Sequence, residues 1–412
     1  MIFHRTVKET IDTNIDECVA SIEKMVYGGD GLARLDGQAL LAPFVLPGEQ
    51  VRVRVIERRP RLVRGMPLEI LTPSPFRRPA PCPHFASCGG CHYQHLAGEE
   101  QAGVKAAILR ETLRRVGKFE APGEIGIVSG PPFEYRNRAQ FHIQDRRIGY
   151  HEMGSTRLHP VEACALCSPK LQQVYQTLKH MIRDRRWPRF LRTIEIFTNE
   201  TEVQLNVLNA DQPLARRFFD WCAETIEGLI AGAIAYPAAG FSFRVSHNSF
   251  FQVNRFLIDR LLEEALNGAE GETALDLYSG VGLFALPLAS RFGSVSAVES
   301  GAAASKDLWF NARQAGLTVL AQQKSVEAYL EQSQTRFDFV IADPPRAGLG
   351  VKVARRLLET KPRTLVIVSC DPATLARDLA ILRAAYAIDR IVMLDLFPQT
   401  FHIETIARLR AL

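Results

Sequence analysis

From residue 254 to the C-terminus, apolar strand-like runs alternate with amphipathic helical stretches, and this alternation limits the fold more than any other feature of the chain. FLIDRLLEEALN (256–267) has helical periodicity, followed by strand TALDLYS, a helix near 283–291 and strand SVSAVE. Helix AAASKDLWFNARQAG, strand FDFVIAD, helix VKVARRLLET, strand TLVIVSC and helix ATLARDLAILRA continue the pattern, and AIDRIVMLDLF and HIETIARLRA end the chain as two strands. Apolar strands separated by helices pair side by side in a parallel sheet covered on both faces. Residues 248–412 are therefore expected to form a doubly wound, Rossmann-like α/β domain. In such a domain, ligands bind at the carboxyl ends of the strands.

The N-terminal third reads differently. YGGDGLARLDG (27–37) is dense in turn residues, and VRVRV in LLAPFVLPGEQVRVRVIE (40–57) alternates with period two. Short strands with Gly-rich turns, beginning in the stretch 10–25, suggest an OB-like β-barrel over residues 1–72. One strand of it would expose Arg52 and Arg54 towards nucleic acid. PSPFRRPAPCP (73–83) marks a boundary. Residues 73–247 contain RAQFHIQ, RIGYHE, RTIEIFT and TEVQLNVLN, alternating like antiparallel strands, so a β-rich central domain is expected. A helical pattern runs through 95–120, with Gly117 as its C-cap.

The net charge of +5, from 50 basic and 45 acidic residues, says little alone. Its distribution says more. Residues 51–80 carry eight arginines against Glu57 and Glu69, and 177–192 carry Lys179 and five arginines against Asp184. Such clusters can neutralise phosphates, although a solvated face is the plainer alternative. With 47% hydrophobic and 23% charged residues, a disordered or fibrous chain is excluded. No apolar run approaches the roughly 18 residues of a membrane span. MIFHRTVKET lacks a signal-peptide core, so a cytoplasmic protein is expected.

Four motifs fall where strands of the α/β domain end. In LDLYSGVGLF (275–284), Gly280 and Gly282 make a tight turn between strand and helix. Glu299, nineteen residues after Gly280, can accept hydrogen bonds from ribose hydroxyls. This pair indicates an adenosine-type ligand without deciding between NAD and S-adenosylmethionine (SAM). ADPPRAGL (342–349) sets a rigid loop of the kind found in nucleic-acid methyltransferases, although Arg346 stands where amine methylases carry an aromatic. In VSCDP (368–372), Cys370 precedes a helix N-terminus, where a thiolate is stabilised. A thiolate adding to carbon 6 of a pyrimidine makes carbon 5 nucleophilic. Glu404, in FPQTFHIETIA (397–407), is then a candidate base for the carbon 5 proton, an exposed strand glutamate being the plain alternative.

The fifth motif is CPHFASCGGCHYQH (82–95), with spacing C-x5-C-x2-C at Cys82, Cys88 and Cys91. Cys164 and Cys167 are both candidates for a fourth ligand. Four thiolates suit zinc or an iron–sulfur cluster, and His84, His92 and His95 keep a mixed zinc site open.

Taken together and in this order, these motifs resemble the SAM-dependent RNA 5-methyluridine (uracil-C5) methyltransferases, in their branch with a TRAM domain and an iron–sulfur cluster. The resemblance covers nearly the whole chain and includes FFQVN (250–254). It implies a TRAM-like barrel over 9–70, a [4Fe-4S] cluster on Cys82, Cys88, Cys91 and Cys164, and SAM contacts at Gln252, Tyr278, Glu299 and Asp343. It also implies Cys370 as nucleophile, Glu404 as general base, and helix 95–120 packed on the catalytic domain. Three positions depart from the family pattern: Leu283 replaces an Asn found in several members, Asp371 replaces the more usual Asn, and Cys167 is additional. The implied activity is methylation of carbon 5 of a uridine, in large-subunit ribosomal RNA ahead of transfer RNA. A monomer without membrane association is expected, with Phe250 either stacking on the flipped base or sitting in the core. A non-catalytic RNA-binding protein would leave Cys370 and Glu404 without a use. An NAD-linked oxidoreductase would leave DPPR and SCDP unexplained.

Overall fold

The structure is a computed structural model and describes residues 16–412. Its contacts divide the chain into two compact units, one running to Pro79 and including His95–Ala97, the other comprising Ala80–Gln94 and Gly98–Leu412.

In the first unit six strands form one curled sheet. Their order is Glu17–Ser21, Gln50–Arg59, Leu62–Thr72, Gln38–Pro43, Asp30–Leu35 and Lys24–Met25. Only Gln38–Pro43 and Leu62–Thr72 pair in parallel. The part of the expected barrel before Asp16 lies outside the described residues. The VRVRV alternation has its expected result: Val51 and Val53 are fully buried beside Leu40, Ala42 and Val63, while Arg52 and Arg54 face outward. Much of the local positive charge is compensated. Arg52 lies 3.4 Å from Glu69, Arg58 2.9 Å from Asp16, Arg59 2.6 Å from Glu57 and Arg64 3.7 Å from Asp30. Arg77 forms a two-pronged pair with the fully buried Glu49. Arg54 has no carboxylate partner among the described residues, so fewer free cations remain than the arginine count suggests.

Among the described residues the second unit holds a five-stranded and an eight-stranded sheet with separate cores, and a two-stranded hairpin, Ile234–Ala238 with Phe241–Val245, whose buried side chains join the larger core. The central sheet is antiparallel, in the order Leu158–Pro160, Arg147–His151, Arg138–Gln144, Leu191–Thr198, Val203–Ala210. Helix Pro169–Met181 buries Leu171, Val174 and Leu178 in its core, and helix Arg216–Thr225 adds Phe218 and Trp221. These helices interrupt the expected β-rich region. Ser168, whose side chain caps Leu171 N–H ahead of Pro169, is the local start signal for the first of them.

Among the described residues the larger sheet has eight strands. Its order is Leu320–Gln323, Ser294–Glu299, Thr273–Leu277, Phe339–Ala342, Thr364–Ser369, Glu404–Ala411, Tyr386–Leu394 and Gly126–Val128. The first five are parallel and Glu404–Ala411 runs against them. This is the doubly wound α/β sheet expected from the β-α alternation. Leu320–Gln323 and Gly126–Val128 are edge strands that their sequences do not announce, because edges are short and half exposed.

Helix Gly98–Arg115 packs against helix Pro372–Leu382 of the same unit. Gly117 does not cap it through a left-handed conformation, which falls instead on Lys118 at φ 58°. A Cβ at Gly117 would lie 2.5 Å from the Phe119 ring, so the glycine serves close approach rather than turn geometry.

Candidate active site

The site is built where parallel strands end. After Thr273–Leu277 the backbone turns through positive φ at Tyr278 (63°), Gly280 (54°) and Gly282 (96°). A Cβ on Gly282 would also meet Leu308 Cδ1 at 2.6 Å, so this position requires glycine twice over. The Glu299 carboxylate accepts the Gly280 N–H at 2.9 Å and the Gly301 N–H at 2.5 Å, tying two strand ends together. Leu283 packs into the core, so this position contributes packing and not a polar contact. Asp276, at the end of the first strand, is fully buried, and neither carboxylate oxygen receives a well-aligned hydrogen bond. Burial, and then the nearby Asp343, hold its carboxyl well above the usual range. Gln252 is buried nearby in sequence to the exposed Phe250, and its carbonyl accepts from Asn137 Nδ2 at 3.0 Å.

Cys370 and Glu404 meet through strand pairing. Ser369 lies opposite Thr405 as the last pair of the antiparallel ladder, so Cys370, just past the end of Thr364–Ser369, and Glu404, the first residue of Glu404–Ala411, come to the same edge of the sheet. Asp371 is the N-cap of helix Pro372–Leu382 and accepts from Ala373 N–H at 3.0 Å and Thr374 N–H at 2.9 Å. A carboxylate serves there as well as the more usual Asn. It also changes the expectation for the thiol. The helix N–H groups serve Asp371, while burial and the nearby Glu404 push the Cys370 thiol up to about 11; the Arg346 guanidinium opposes them. Glu404 is buried, and burial and Asp343 raise its carboxyl well above the usual range, again against Arg346. Burial brings Asp343 itself to about 7.

Arg346 and His402 were not legible as site residues. Arg346 Nη2 lies 3.2 Å from His402 Nδ1, and burial, then Arg346, push the imidazole down to about 3. The ring is therefore neutral, and with Arg346 donating to Nδ1 its proton sits on Nε2. Their signal was position: Arg346 ends D-P-P-R and His402 lies two residues before Glu404.

Phe250 is 61% exposed, whereas Phe251 is 2% exposed and packs on Tyr236 and Phe243. The core place thus belongs to Phe251. The segment before them is held by the buried Asp307, which accepts from Ser246 N–H and Oγ–H and from Ser249 Oγ–H at 2.6–2.7 Å.

Cys82, Cys88, Cys91 and Cys164 line one cavity of ≈ 380 Å³ in the second unit, with Phe85, Val161, Leu166 and Phe250 also on its wall. Among the described residues, no group of three or more His, Cys, Asp or Glu is placed to hold a single metal ion. Cys167 is buried behind the wall, with its sulfur 3.5 Å from Tyr150 Oη. Its hydrogen bond to Cys164 draws the Cys164 thiol down to about 6, and Cys167, as the donor, is held well above the usual range. Of the candidate histidines, His84 lines the cavity, whereas His92 and His95 do not.

Comparison with known proteins places this geometry in context. A family profile described as tRNA (Uracil-5-)-methyltransferase matches residues 234–411. An uncharacterized RNA methyltransferase of Aquifex aeolicus is 32% identical, over 94% of this chain and 97% of its own length. The 23S rRNA (uracil(1939)-C(5))-methyltransferase RlmD of Cronobacter sakazakii is 33% identical, over 92% and 93%. Among solved structures, the tRNA (uracil-54, C5)-methyltransferase of Pyrococcus abyssi, in complex with S-adenosyl-L-homocysteine, superposes with a TM-score of 0.75. It is 28% identical, covering 95% of this chain and all of the other.

Proposed function

This chain belongs to the SAM-dependent RNA (uracil-5-)-methyltransferases, and from that membership we propose which of its residues carry the reaction and which RNA it modifies. The enzyme methylates carbon 5 of a uridine in RNA with SAM as methyl donor. The proposed target is large-subunit ribosomal RNA, supported by whole-chain similarity to relatives named for 23S rRNA. Transfer RNA is the second reading, favoured by the likeness to the Pyrococcus abyssi enzyme. Incubating the protein with unmodified 23S rRNA and transfer RNA transcripts, then mapping 5-methyluridine by mass, decides between them. Methyl incorporation into transfer RNA alone would overturn the ribosomal assignment.

The observation that carries the mechanism is the meeting of Cys370 and Glu404 at one strand edge, close enough to Asp343 and Arg346 of the D-P-P-R loop for their charges to interact. The target base has to leave its stack to reach them. Cys370 sulfur bonds to carbon 6, and the electron pair of the 5,6 double bond moves onto the carbon 4 carbonyl as an enolate. Carbon 5 then takes the methyl group, for which SAM supplies the electrophilic sulfonium. Glu404 removes the carbon 5 proton, and the released pair restores the double bond and expels the thiolate. Arg346 is the cation that favours both anionic forms. For SAM, Tyr278, Gly280 and Gly282 shape a backbone cradle, and Glu299 keeps lone pairs for ribose hydroxyls. Gln252 and Asp343 complete the proposed contacts.

The four cysteines around one cavity are proposed to hold a [4Fe-4S] cluster. A polynuclear cluster presents each iron to a separate thiolate, which suits ligands spread around a cavity better than a single tetrahedral ion would. Cys164 lines the cavity and Cys167 does not, which supports Cys164 as the fourth ligand. The reaction is not a redox step, so a structural or RNA-positioning role is proposed. Arg52 and Arg54 are proposed to contact the RNA backbone, Arg54 with the freer charge. No helix among the described residues is long and apolar enough to cross a membrane. A cytoplasmic monomer is the proposed working form.

Two tests follow from the site. With Phe250 exposed, stacking on an unpaired base contributes about 1–3 kcal/mol. Phe250→Leu is expected to keep the melting temperature and weaken RNA binding by about one to two orders of magnitude. A lowered melting temperature with unchanged affinity would assign the residue to packing. The raised Cys370 thiol gives a pH prediction. A thiol whose folded pKa lies near 11 is protonated at neutral pH, so the thiolate fraction grows as pH rises. Adduct formation is expected to accelerate about tenfold per pH unit from about pH 7 to about pH 10. A flat single-turnover profile over that range would mean that substrate binding brings the thiol far below its value in the free enzyme.

A further inference from the structure

The segment 395–403, which leads into Glu404, is held from outside by buried groups distant in sequence. Lys105 Nζ donates to Asp395 Oδ1 at 2.6 Å and to the Phe397 carbonyl at 2.9 Å. Gln101 and Gln399 form a reciprocal amide pair: Gln399 N–H donates to Gln101 Oε1 and Gln101 Nε2 donates to Gln399 Oε1, both at 2.9 Å. Gln101 Nε2 also reaches the Tyr93 carbonyl at 3.1 Å. The N–H groups of His92 and Tyr93, beside Cys91, both donate to the Gln399 carbonyl. Tyr135 Oη–H donates to the Pro398 carbonyl and Asn254 Nδ2 to that of Leu396. Gln101, Lys105, Asp395 and Gln399 are all at most 4% exposed.

Two features argue that this network serves geometry more than stability. A buried ion pair gains little over well-packed apolar side chains, because both charges must be stripped of water. Lys105 is nevertheless fully buried against a partner on this one segment. Gln399 also sits at φ 67°, a left-handed conformation that costs a side chain with a Cβ and persists only where the surroundings enforce it. The enforcing groups are Gln101 and the 92–93 backbone. Gln101 and Lys105 are four residues apart, so one face of helix Gly98–Arg115 reaches residues 395, 397 and 399 of the segment.

We propose that this helix face clamps residues 395–399, at the start of the segment that leads into Glu404, and that Gln101 and Lys105 are positioning residues for proton removal from carbon 5 by Glu404. The inference rests on the assignment of Glu404 as the base. It predicts a defect in one step: carbon–sulfur bond formation and methyl transfer precede the proton transfer and need only Cys370 and SAM in place. A displacement of about 1 Å in a catalytic group can cost on the order of 100-fold.

The test uses the full chain with unmodified 23S rRNA and transfer RNA transcripts made with uridine or with 5-fluorouridine. Fluorine cannot leave carbon 5 as a cation, so the fluorinated adduct halts before the step assigned to Glu404. The variants are Gln101→Met and the double change Lys105→Met with Asp395→Leu, which removes the ion pair without stranding either charge. Turnover on uridine RNA is expected to fall about ten- to 100-fold, with a methylated, denaturation-resistant adduct accumulating. The fluorinated adduct should form at the wild-type rate. If it slows in step with turnover, or if neither changes, the clamp has no role in proton removal. Glu404→Gln in the same assay separates the two failures. If it accumulates adduct and the clamp variants do not, only the clamp is wrong. If it turns over normally, the base assignment fails and the clamp with it.

Discussion

Cys370→Ala is expected to abolish 5-methyluridine formation and to leave no covalent RNA–protein species, whereas Glu404→Gln is expected to trap one. The asymmetry follows from the order of steps. Without the thiolate, carbon 5 never becomes nucleophilic, so neither the carbon–sulfur nor the carbon–carbon bond forms. With glutamine at 404, both bonds form but the carbon 5 proton stays, and turnover should fall by about two to four orders of magnitude. The accumulated species should carry the methyl group and resist denaturation. Glu404 is buried and Cys370 half-buried at the same edge of the sheet, and glutamine is isosteric with glutamate, so the second change should leave the fold intact. Radiolabelled SAM and denaturing electrophoresis read both outcomes. Methylation at the normal rate by Glu404→Gln would remove Glu404 from the mechanism. Methylation by Cys370→Ala would remove the covalent mechanism itself.

The second large effect concerns the cysteine cavity. Protein purified without oxygen should be brown, with iron and sulfide each near about four per chain. Cys164→Ser should lose the chromophore, because Cys164 lines the cavity with Cys82, Cys88 and Cys91. Cys167→Ser should keep it, since Cys167 lies behind the wall and a serine hydroxyl can still donate towards Cys164. Stoichiometric zinc in a colourless protein would exclude the cluster, and the reverse pattern in the two variants would move the fourth ligand to Cys167. Loss of the cluster should also lower thermal stability, because three ligands come from 82–91 and the fourth from 164, so the cluster closes a long loop.

Periodicity carried the architecture. The β-α alternation after residue 254 and the valine–arginine alternation at 51–54 are local patterns that depend on which side chains can be buried, and burial is the dominant force in folding. For that reason the parallel sheet, the glycine turn at 278–282 and the outward arginines were legible from residue order. Edge strands Leu320–Gln323 and Gly126–Val128 bury too little to leave such a pattern. Helices Pro169–Met181 and Arg216–Thr225 lie between strands whose alternation dominates the reading.

Chemical identity was local as well: a cysteine before Asp-Pro, an Asp-Pro-Pro-Arg loop, a C-x5-C-x2-C run and a glutamate in an apolar strand can each be seen within ten residues. What these groups are able to do was decided only by the tertiary structure. The meeting of Cys370 and Glu404 depends on the antiparallel pairing of strand Thr364–Ser369 with Glu404–Ala411, which 34 residues separate in sequence. The thiol's rise to about 11 comes from burial and a neighbouring carboxyl, against the helix terminus that sequence order alone suggested. The choice between Phe250 and Phe251 for the core, the separation of Cys164 from Cys167 and the grip of Lys105 on Asp395 belong to the same class. Sequence order determined which groups are present and which elements carry them. Burial, pairing register and charge proximity depend on residues far apart in the chain, so only the folded structure set their ionisation and their geometry.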